Sequence, residues 1–327
     1  MGTVSIESEL KERLLKEHIP IVQASLKEFP SKGFMSRIFS ARSDRGAIII
    51  HVSSPVDEQL LQRNPEKMRL VGKVLEQYSE IPSARVYAAG QLSGGRTFTV
   101  QSLIEGSPLG DRVLEGNRIV DRVLYQKKDL LPDLLRILAR IHSVRVRRFG
   151  YFDLGKHGLV GQYPSWKAFL KTESDRWIRV LMNHADANGL LFFEKVKTLV
   201  SSLLKKYGAQ LSIDSPRLIH GDMVNPGNVM VCEEHISGII DFEWAIAGDP
   251  AWEFAFTDTV PLRAYFDERN AQEGIVIDET GFLLRIRIYS IFWLLWGLQV
   301  HAKGGPIKEV LLHMLEERLA QFDQEFS

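Results

Sequence analysis

The sequence predicts an α+β protein in which a small lobe built on an antiparallel sheet precedes a larger, mostly helical lobe. Residues 30–103 follow the order strand, strand, helix, strand, strand, which is typical of an antiparallel sheet with one packed helix. After Gly106 the apolar residues recur every three or four positions and indicate amphipathic helices. A chain of 327 residues is long enough for both lobes. We expect the first lobe to span 1–103 and the second 104–327.

Turn signals separate the predicted elements of the small lobe. Ser43-Asp44-Arg45-Gly46 and Ser93-Gly94-Gly95 each lie between two β-prone runs and predict hairpins. Pro65 stands in the first turn of an amphipathic helix. The strands are expected at Phe34–Ala41, Ala47–Val52, Val86–Gly90 and Arg96–Leu103, and the helix at Asn64–Tyr78. In the larger lobe, helices are expected at Asp129–Val144, Trp166–Leu181, Phe192–Tyr207, Ala251–Val260, Phe282–Val300 and Ile307–Phe326.

Charge and composition narrow the class of partner. The 41 basic residues balance the 41 acidic ones, so the sequence shows no electrostatic signature of nucleic-acid or anionic-membrane binding. The single cysteine, Cys232, excludes an intramolecular disulfide. The first residues lack the apolar core of a signal peptide, and the apolar run Ile288–Leu298 is too short to span a bilayer. We expect a cytoplasmic monomer or dimer that binds neither nucleic acid nor membrane.

The stretch from Leu218 to Glu253 carries the chemistry. Asp222 and Asp241 each end a short apolar run, and the segment between them resembles a hairpin that would bring its ends together. Asn228 would then lie near both acids. Carboxylates packed together repel unless a cation lies between them. Carboxylate and amide oxygens are ligands suited to Mg²⁺, which completes its shell with water and phosphate oxygens. The residues therefore predict a magnesium site used in phosphoryl transfer.

Three separated motifs carry a family resemblance. They are His220-Gly221-Asp222 with Asn228, Ile240-Asp241-Phe242 with Ala245, and Gly248-Asp249-Pro250 with Glu253. In this order they resemble the aminoglycoside phosphotransferase and choline kinase family, kinase-like enzymes that phosphorylate small molecules. The resemblance covers about residues 30–320 and implies a two-lobed protein-kinase-like fold, with a helical insertion at about 151–216. It also implies transfer of the γ-phosphoryl group of ATP or GTP to a hydroxyl of a small molecule.

The resemblance also implies roles for residues of the second lobe. Asp222 corresponds to the base that positions the acceptor hydroxyl, and Asn228 and Asp241 correspond to the Mg²⁺ ligands. His220 and Asp249 correspond to residues that support the loop through hydrogen bonds.

The nucleotide is expected to contact the first lobe. Gly33 and Ser36 open the first hairpin and suit a loop that covers phosphates, because glycine lets backbone N–H groups approach closely. Gln101 and Leu103 lie where the family links its two lobes, so their backbone groups are candidates for the adenine edge. Kinase-like folds carry a phosphate-binding lysine on the second strand, and here that position is His51.

Two departures from the family pattern leave alternatives open. Asn228 is six positions after Asp222 where the family has five, so either Asn228 or Asn225 could be the amide ligand. His51 could be a pH-sensitive phosphate contact, or it could be turned inward while Lys67 or Lys73 supplies the charge. The absence of the strand lysine also allows a catalytically idle, nucleotide-binding regulator.

The acceptor is only suggested by charge. Residues 253–279 contain seven acids and two arginines. An acidic wall there would favour a cationic acceptor such as an aminoglycoside or amino alcohol, and a solvated acidic surface explains the same composition.

Overall fold

The computed structural model describes residues 5–22, 25–29, 36–53, 64–115, 118–123, 130–223, 225–256, 260–274 and 276–326. They divide into two compact units. The first unit is Met1–Ser107 with Met230–Glu243, and the second is Pro108–Val229 with Trp244–Ser327. The first is built on an antiparallel sheet and the second is mostly helical, which confirms the predicted α+β, kinase-like fold class. The short segment 230–243 returns to the first unit.

A five-stranded sheet forms the centre of the first unit. All its pairings are antiparallel, in the order β1-β2-β3-β5-β4. The turn before Gly46 needs the positive φ of 94° that glycine tolerates, as the hairpin signal predicted. The strands are β1 (Lys27–Phe29), β2 (Ser36–Ser43), β3 (Gly46–Ser53), β4 (Val86–Gln91) and β5 (Thr97–Ser102).

In the part of the chain that the structure describes, two helices belong to the first unit. Helix α1 (Ile6–Lys16) buries Leu10 and Leu14 in a core with Phe39 and Phe98 of the sheet. Helix α2 (Pro65–Leu75) begins at Asn64, whose side chain accepts a hydrogen bond from the Glu66 N–H. The two-residue strand β6 (Ser107–Pro108) follows in the chain. Strands β7 (Gly110–Glu115) and β8 (Arg118–Val123) then pair as a hairpin that belongs to the second unit. This hairpin was not predicted, although the sequence Gly116-Asn117 is a turn signal.

Two further short sheets position the motif stretch. In the second unit, β9 (Phe149–Phe152), β10 (Gly161–Tyr163), β11 (Arg217–Ile219) and β14 (Ile246–Gly248) form a sheet in the order β10-β9-β14-β11. Strands β12 (Val229–Cys232) and β13 (His235–Ile239) form the hairpin that the motif stretch predicted. The Ile239 N–H donates to the Pro82 carbonyl at 2.7 Å, which fixes the end of β13 within the first unit.

The described residues of the second unit contain six helices. The predicted closing helix at Ala251–Val260 is wrong: a 3₁₀ turn at Pro250–Phe254 stands there, capped by Asp249. Helix α6 begins only after Pro261, a residue that restricts the preceding backbone. Its weak apolar pattern, with Tyr265 and Phe266 as the buried aromatic residues, explains why it was missed. The helices are α3 (Leu130–Ile141), α4 (Trp166–Met182), α5 (Ala187–Lys206), α6 (Arg263–Glu273), α7 (Glu279–Val300) and α8 (Pro306–Phe326).

Helix α7 is the apolar centre of the second unit and packs against α4 and α8. Of the helices in the described ranges, it is the one long and apolar enough to cross a membrane by length and composition. In its most apolar 18-residue window, 61% of the residues are buried within the protein. Burial in the core therefore accounts for the apolar sequence of this helix, which was predicted over Phe282–Val300.

Candidate active site

Strand β11 and the loop after it place the first acid of the motif. Leu218 and Ile219 are fully buried, and β11 pairs with β14, so the loop leaves the sheet from a fixed point. Gly221 follows with φ of 88°, a value that other residues rarely adopt. A Cβ at this position would lie 2.4 Å from the Trp244 carbonyl oxygen, so only glycine fits. The chain can therefore turn sharply and present Asp222.

A buried carboxylate holds this loop by its backbone. Glu253 accepts hydrogen bonds from the Gly221 N–H at 3.0 Å and from the Met223 N–H at 2.9 Å, one on each oxygen. Its side chain is almost fully buried. Burial alone would raise the pKa of Glu253, but the polar contacts of His142, His220 and the Gly221 N–H outweigh it and hold that pKa below its usual value. Glu253 is therefore ionised at neutral pH and fixes the residues on both sides of Asp222.

Two asparagines meet the side chain of Asp222. The Asn228 amide nitrogen donates to the backbone oxygen of Asp222 at 2.8 Å and to its carboxylate at 3.0 Å. The Asn225 amide nitrogen donates to the same carboxylate oxygen at 3.2 Å. The 3₁₀ turn Pro226–Asn228 accommodates the extra residue of the loop, so both asparagines reach Asp222.

The two asparagines differ in how their amide oxygens are used. The oxygen of Asn225 caps the 3₁₀ turn by accepting the Gly227 N–H at 3.1 Å. The contacts of Asn228 with Asp222 use only its amide nitrogen, and its side chain is buried. This difference favours Asn228 as the residue that offers an oxygen to a metal ion.

The predicted supporting residues make structural contacts in the second unit. His220 is buried, and its Nδ1 accepts the Asp222 N–H at 3.2 Å. One carboxylate oxygen of Asp249 accepts from Arg285 and from the Tyr289 hydroxyl, each at 2.7 Å, and the other accepts the Ala251 N–H at 3.1 Å. Asp249 therefore fastens the 3₁₀ turn that carries Glu253 to helix α7.

The second acid of the motif lies in the first unit. Asp241 follows β13 and has a φ of 66°, in the left-handed region that a non-glycine residue seldom adopts. Such backbone geometry is found at functional turns, where the surrounding structure imposes it. Here a bond from Lys67, whose Nζ donates to the backbone oxygen of Glu243, fixes the residues that follow.

His51 lies on β3 and is partly buried. A ring nitrogen and the Gln101 side-chain amide are 3.2 Å apart, which makes a hydrogen bond between neighbouring strands. Burial lowers the pKa of His51, and the charge of Asp241 offsets this only in part. The ring is therefore neutral at pH 7, which favours the inward, hydrogen-bonded alternative over a charged phosphate contact.

The remaining nucleotide candidates are placed as follows. Ser36 begins β2 opposite Ser53, and Gly33 lies outside the described residues. Gln101 is buried within β5 and pairs across to Ile49. Leu103 is exposed, and its N–H donates to the Ala47 carbonyl at 3.0 Å.

Sequence reasoning underrated two residues. Lys67 is 4% exposed on α2 and was considered only as one of two possible sources of charge. The spacing of Lys67, Val71 and Leu75 on one helical face was the signal, because a lysine in an apolar stripe is unusual. Glu253 was recognised as part of a motif, but its two backbone partners lie about thirty residues earlier in the chain and could not be inferred.

The donor chemistry fits magnesium with nucleotide. Across the ranges that the structure describes, no three His, Cys, Asp or Glu side chains form a group that could hold a metal ion. A metal would therefore need amide, water or phosphate oxygens besides a carboxylate. Mg²⁺ prefers such a mixed oxygen shell, and it usually binds through one or two carboxylates plus substrate phosphates.

Comparison with known proteins decides the family. The model of the phosphotransferase enzyme family matches residues 57–275, about two thirds of the chain. This chain belongs to that family. The family is one of kinase-type phosphotransferases, as the motifs predicted. A search of curated proteins gives no significant match.

Solved structures of phosphotransferases share the fold. Aminoglycoside phosphotransferase APH(4)-Ia has 19% identity and a TM-score of 0.66, over 97% of this chain and 98% of its own. APH(2")-IIIa, in complex with GDP and kanamycin, has 16% identity and a TM-score of 0.60, over 95% and 98%. The macrolide 2'-phosphotransferase MphH from Brachybacterium faecium has 15% identity and a TM-score of 0.55, over 94% and 96%.

Proposed function

We propose that the protein transfers the γ-phosphoryl group of ATP or GTP to a hydroxyl group of a small molecule, an aminoglycoside-like antibiotic or a sugar or amino alcohol. The observation that carries the proposal is the fixed position of Asp222. Its carboxylate is held by Asn228, and the backbone on both sides of it is held by the buried Glu253. A base that positions a hydroxyl needs such rigid support.

In the proposed reaction Asp222 accepts a hydrogen bond from the acceptor hydroxyl. The hydroxyl oxygen forms a bond to the γ-phosphorus, and the bond from that phosphorus to the oxygen bridging to the β-phosphate breaks. The hydroxyl proton passes to Asp222, and ADP or GDP leaves. Asn228 and Asp241 are proposed, from the motif, to contribute oxygen ligands to Mg²⁺, which when bound would neutralise charge on the phosphate oxygens.

The acidic composition of 253–279 does not support a cationic acceptor. Its described acids mostly make internal contacts. Glu253 binds the loop, Glu273 pairs with Arg217 and Arg269, and Asp278 caps α7. Asp267 pairs with Arg263, and Glu268 with Arg140. Support for an antibiotic acceptor comes instead from solved structures of similar fold, because a thermostable mutant of APH(4)-Ia has been solved with ADP and hygromycin B, and APH(2")-IIIa with GDP and kanamycin.

A catalytically idle regulator is the second candidate, and the neutral His51 at the lysine position is the observation that favours it. We propose a cytoplasmic location and a monomer or dimer for either function. Neither function requires nucleic acid or a membrane.

One experiment separates the two candidates. Purified protein is incubated with ATP or GTP, Mg²⁺ and a panel of hygromycin B, kanamycin, a macrolide, choline and simple sugars, and release of ADP or GDP is compared with that in water alone. The proposal expects acceptor-dependent release that a chelator abolishes. Calorimetry supplies the second readout, with Mg²⁺ raising nucleotide affinity. Mg²⁺-dependent nucleotide binding with no acceptor-dependent release would support the regulator, and equal affinity with chelator would contradict the metal assignment.

A further inference from the structure

Helix α2 directs a lysine into the interior of the first unit. Lys67, Val71 and Leu75 are buried on one face of the helix, and Lys67 is only 4% exposed. An ammonium group is costly to remove from water unless oxygen atoms or negative charges surround it. Its Nζ donates to the backbone oxygen of Glu243, across 176 positions of sequence. The ammonium group of Lys67 is therefore held at Glu243, which is two positions after Asp241 in the sequence.

The strand position where kinase-like folds carry a lysine holds His51, a side chain without a permanent charge. A ring nitrogen of His51 is 3.2 Å from the Gln101 side-chain amide, and this hydrogen bond ties the ring to the adjacent strand β5. An imidazole held in this way does not supply the fixed positive charge that a lysine brings to phosphates.

We propose that Lys67 contacts the nucleotide phosphates, so that the positive charge comes from helix α2 and not from strand β3. This inference rests on the proposed function, since it assumes that nucleotide binds the first unit. A lysine can supply this charge from a helix as well as from a strand, because its ammonium group is a compact charge on a flexible four-carbon stem. That stem can reach from the helix to the turn after Asp241, as its bond with the Glu243 carbonyl shows. The alternative is that Lys67 only braces this turn.

The two roles differ in how affinity changes along a series of ligands. Calorimetry with adenosine, AMP and ADP, and with guanosine, GMP and GDP, measures each phosphate separately in the presence of Mg²⁺. If Lys67 contacts the phosphates, Lys67→Met should lower diphosphate affinity roughly 10- to 100-fold, the loss expected when a hydrogen bond to a charged group is removed. Nucleoside affinity should stay unchanged. A bracing role predicts equal losses for nucleoside and diphosphate. Lys73→Met, at an exposed position of the same helix, is the matched control and should bind all ligands as wild type does.

Two further variants keep the test valid if Lys67→Met folds poorly. Lys67→Arg retains the charge and should retain diphosphate affinity within a few-fold. The double variant His51→Lys with Lys67→Met moves the charge to the strand and should recover diphosphate affinity lost in Lys67→Met. Diphosphate affinity equal to wild type in Lys67→Met, or equal losses for nucleoside and diphosphate, would overturn the inference alone. Wild-type protein that binds neither ADP nor GDP would overturn the proposed function with it.

Discussion

The loop around Asp222 and the residues around Asp241 follow the family pattern to different degrees. The loop keeps the His-Gly-Asp triplet, the following asparagine and the later acid, and it departs from the pattern by one inserted residue. The first unit keeps Asp241 in its turn, but it carries a histidine where a lysine is usual and a buried lysine on the neighbouring helix. Both regions contain a carboxylate suited to phosphoryl transfer, yet only one retains the familiar set of partners.

The two regions follow the family pattern to different degrees because the Asp222 loop depends on backbone geometry, whereas the region around Asp241 needs only a positive charge. The loop depends on backbone geometry: Gly221 has no space for a side chain, and Glu253 accepts N–H groups that only this backbone conformation presents together. Such an arrangement tolerates little substitution. A positive charge near phosphates is less restrictive, because a long side chain can deliver it from a strand or from a helix. An insertion between Asp222 and Asn228 is tolerated for a related reason, since a 3₁₀ turn returns the amide to the carboxylate.

The largest expected effect belongs to the loop. Asp222→Asn should lower transfer by on the order of a hundredfold or more, because a positioned general base contributes at least that much. Nucleotide affinity should stay within a few-fold of wild type, since the base acts on the acceptor. Turnover with the best acceptor and calorimetry with Mg²⁺ and nucleotide check the two expectations. Asp214→Asn, at an exposed position of the same unit, is the control.

Asp222→Asn and Lys67→Met together test the difference between the two regions. Asp222→Asn should lower phosphoryl transfer alone, whereas Lys67→Met should lower nucleotide affinity. An Asp222→Asn enzyme that turns over at the wild-type rate would show that Asp222 is not the base.

A smaller effect should distinguish the two asparagines of the loop. Asn228→Ala should raise the Mg²⁺ concentration for half-maximal rate by roughly tenfold, the lower end of the loss expected for a residue that binds or orients at a metal. Asn225→Ala should raise it less, because the Asn225 oxygen already accepts the Gly227 N–H. Titration of the rate with Mg²⁺ at saturating nucleotide measures both. A larger shift for Asn225→Ala would reverse the assignment.

Much of this contrast could be predicted from the sequence, because it depends on local signals. The glycine-containing turns and the alternation of apolar residues predicted strands β2 to β5 of the first unit, though not β1, and Pro65 marked the start of α2. The spacing of the motifs gave the family, the fold class and the place of Asp222 at the end of a strand. These features involve residues within a few positions of one another, where propensity and period act directly.

The missed features are contacts between distant parts of the chain. Nothing near Glu253 in sequence indicates that both its oxygens accept N–H groups of the Asp222 loop. Composition alone could not decide between an acidic wall and a solvated surface at 253–279, because a count of acids does not show that Glu273 and Asp267 are paired with arginines. The environment of His51 likewise depends on Gln101, fifty positions later on the adjacent strand.

The smallest expected effect is a pH dependence of stability that arises from His142, a buried residue next to the Glu253 carboxylate that holds the Asp222 loop. His142 is fully buried immediately after the last residue of α3, with one ring nitrogen 2.9 Å from the Tyr265 hydroxyl and the other 3.6 Å from Glu253. Arg269 donates to its backbone oxygen at 3.1 Å. Burial lowers the pKa of His142, and the charge of Glu253 offsets this only in part while that of Arg269 adds to it.

Because the folded pKa is below the unfolded value near 6.5, the unfolded chain binds more protons as pH falls below that value. The free energy of unfolding should therefore decrease as pH falls below 6.5, by up to about 1.4 kcal/mol per pH unit for this histidine, until the folded pKa is reached. His142→Gln should reduce that slope, whatever its effect on absolute stability, and His157→Gln, at an exposed loop position, should leave it unchanged. Urea denaturation at half-unit steps between pH 5 and pH 7.5 measures the slopes. Equal slopes for wild type and His142→Gln would show that the histidine beneath the loop does not remain neutral on folding, and Glu253 would then have a charged partner.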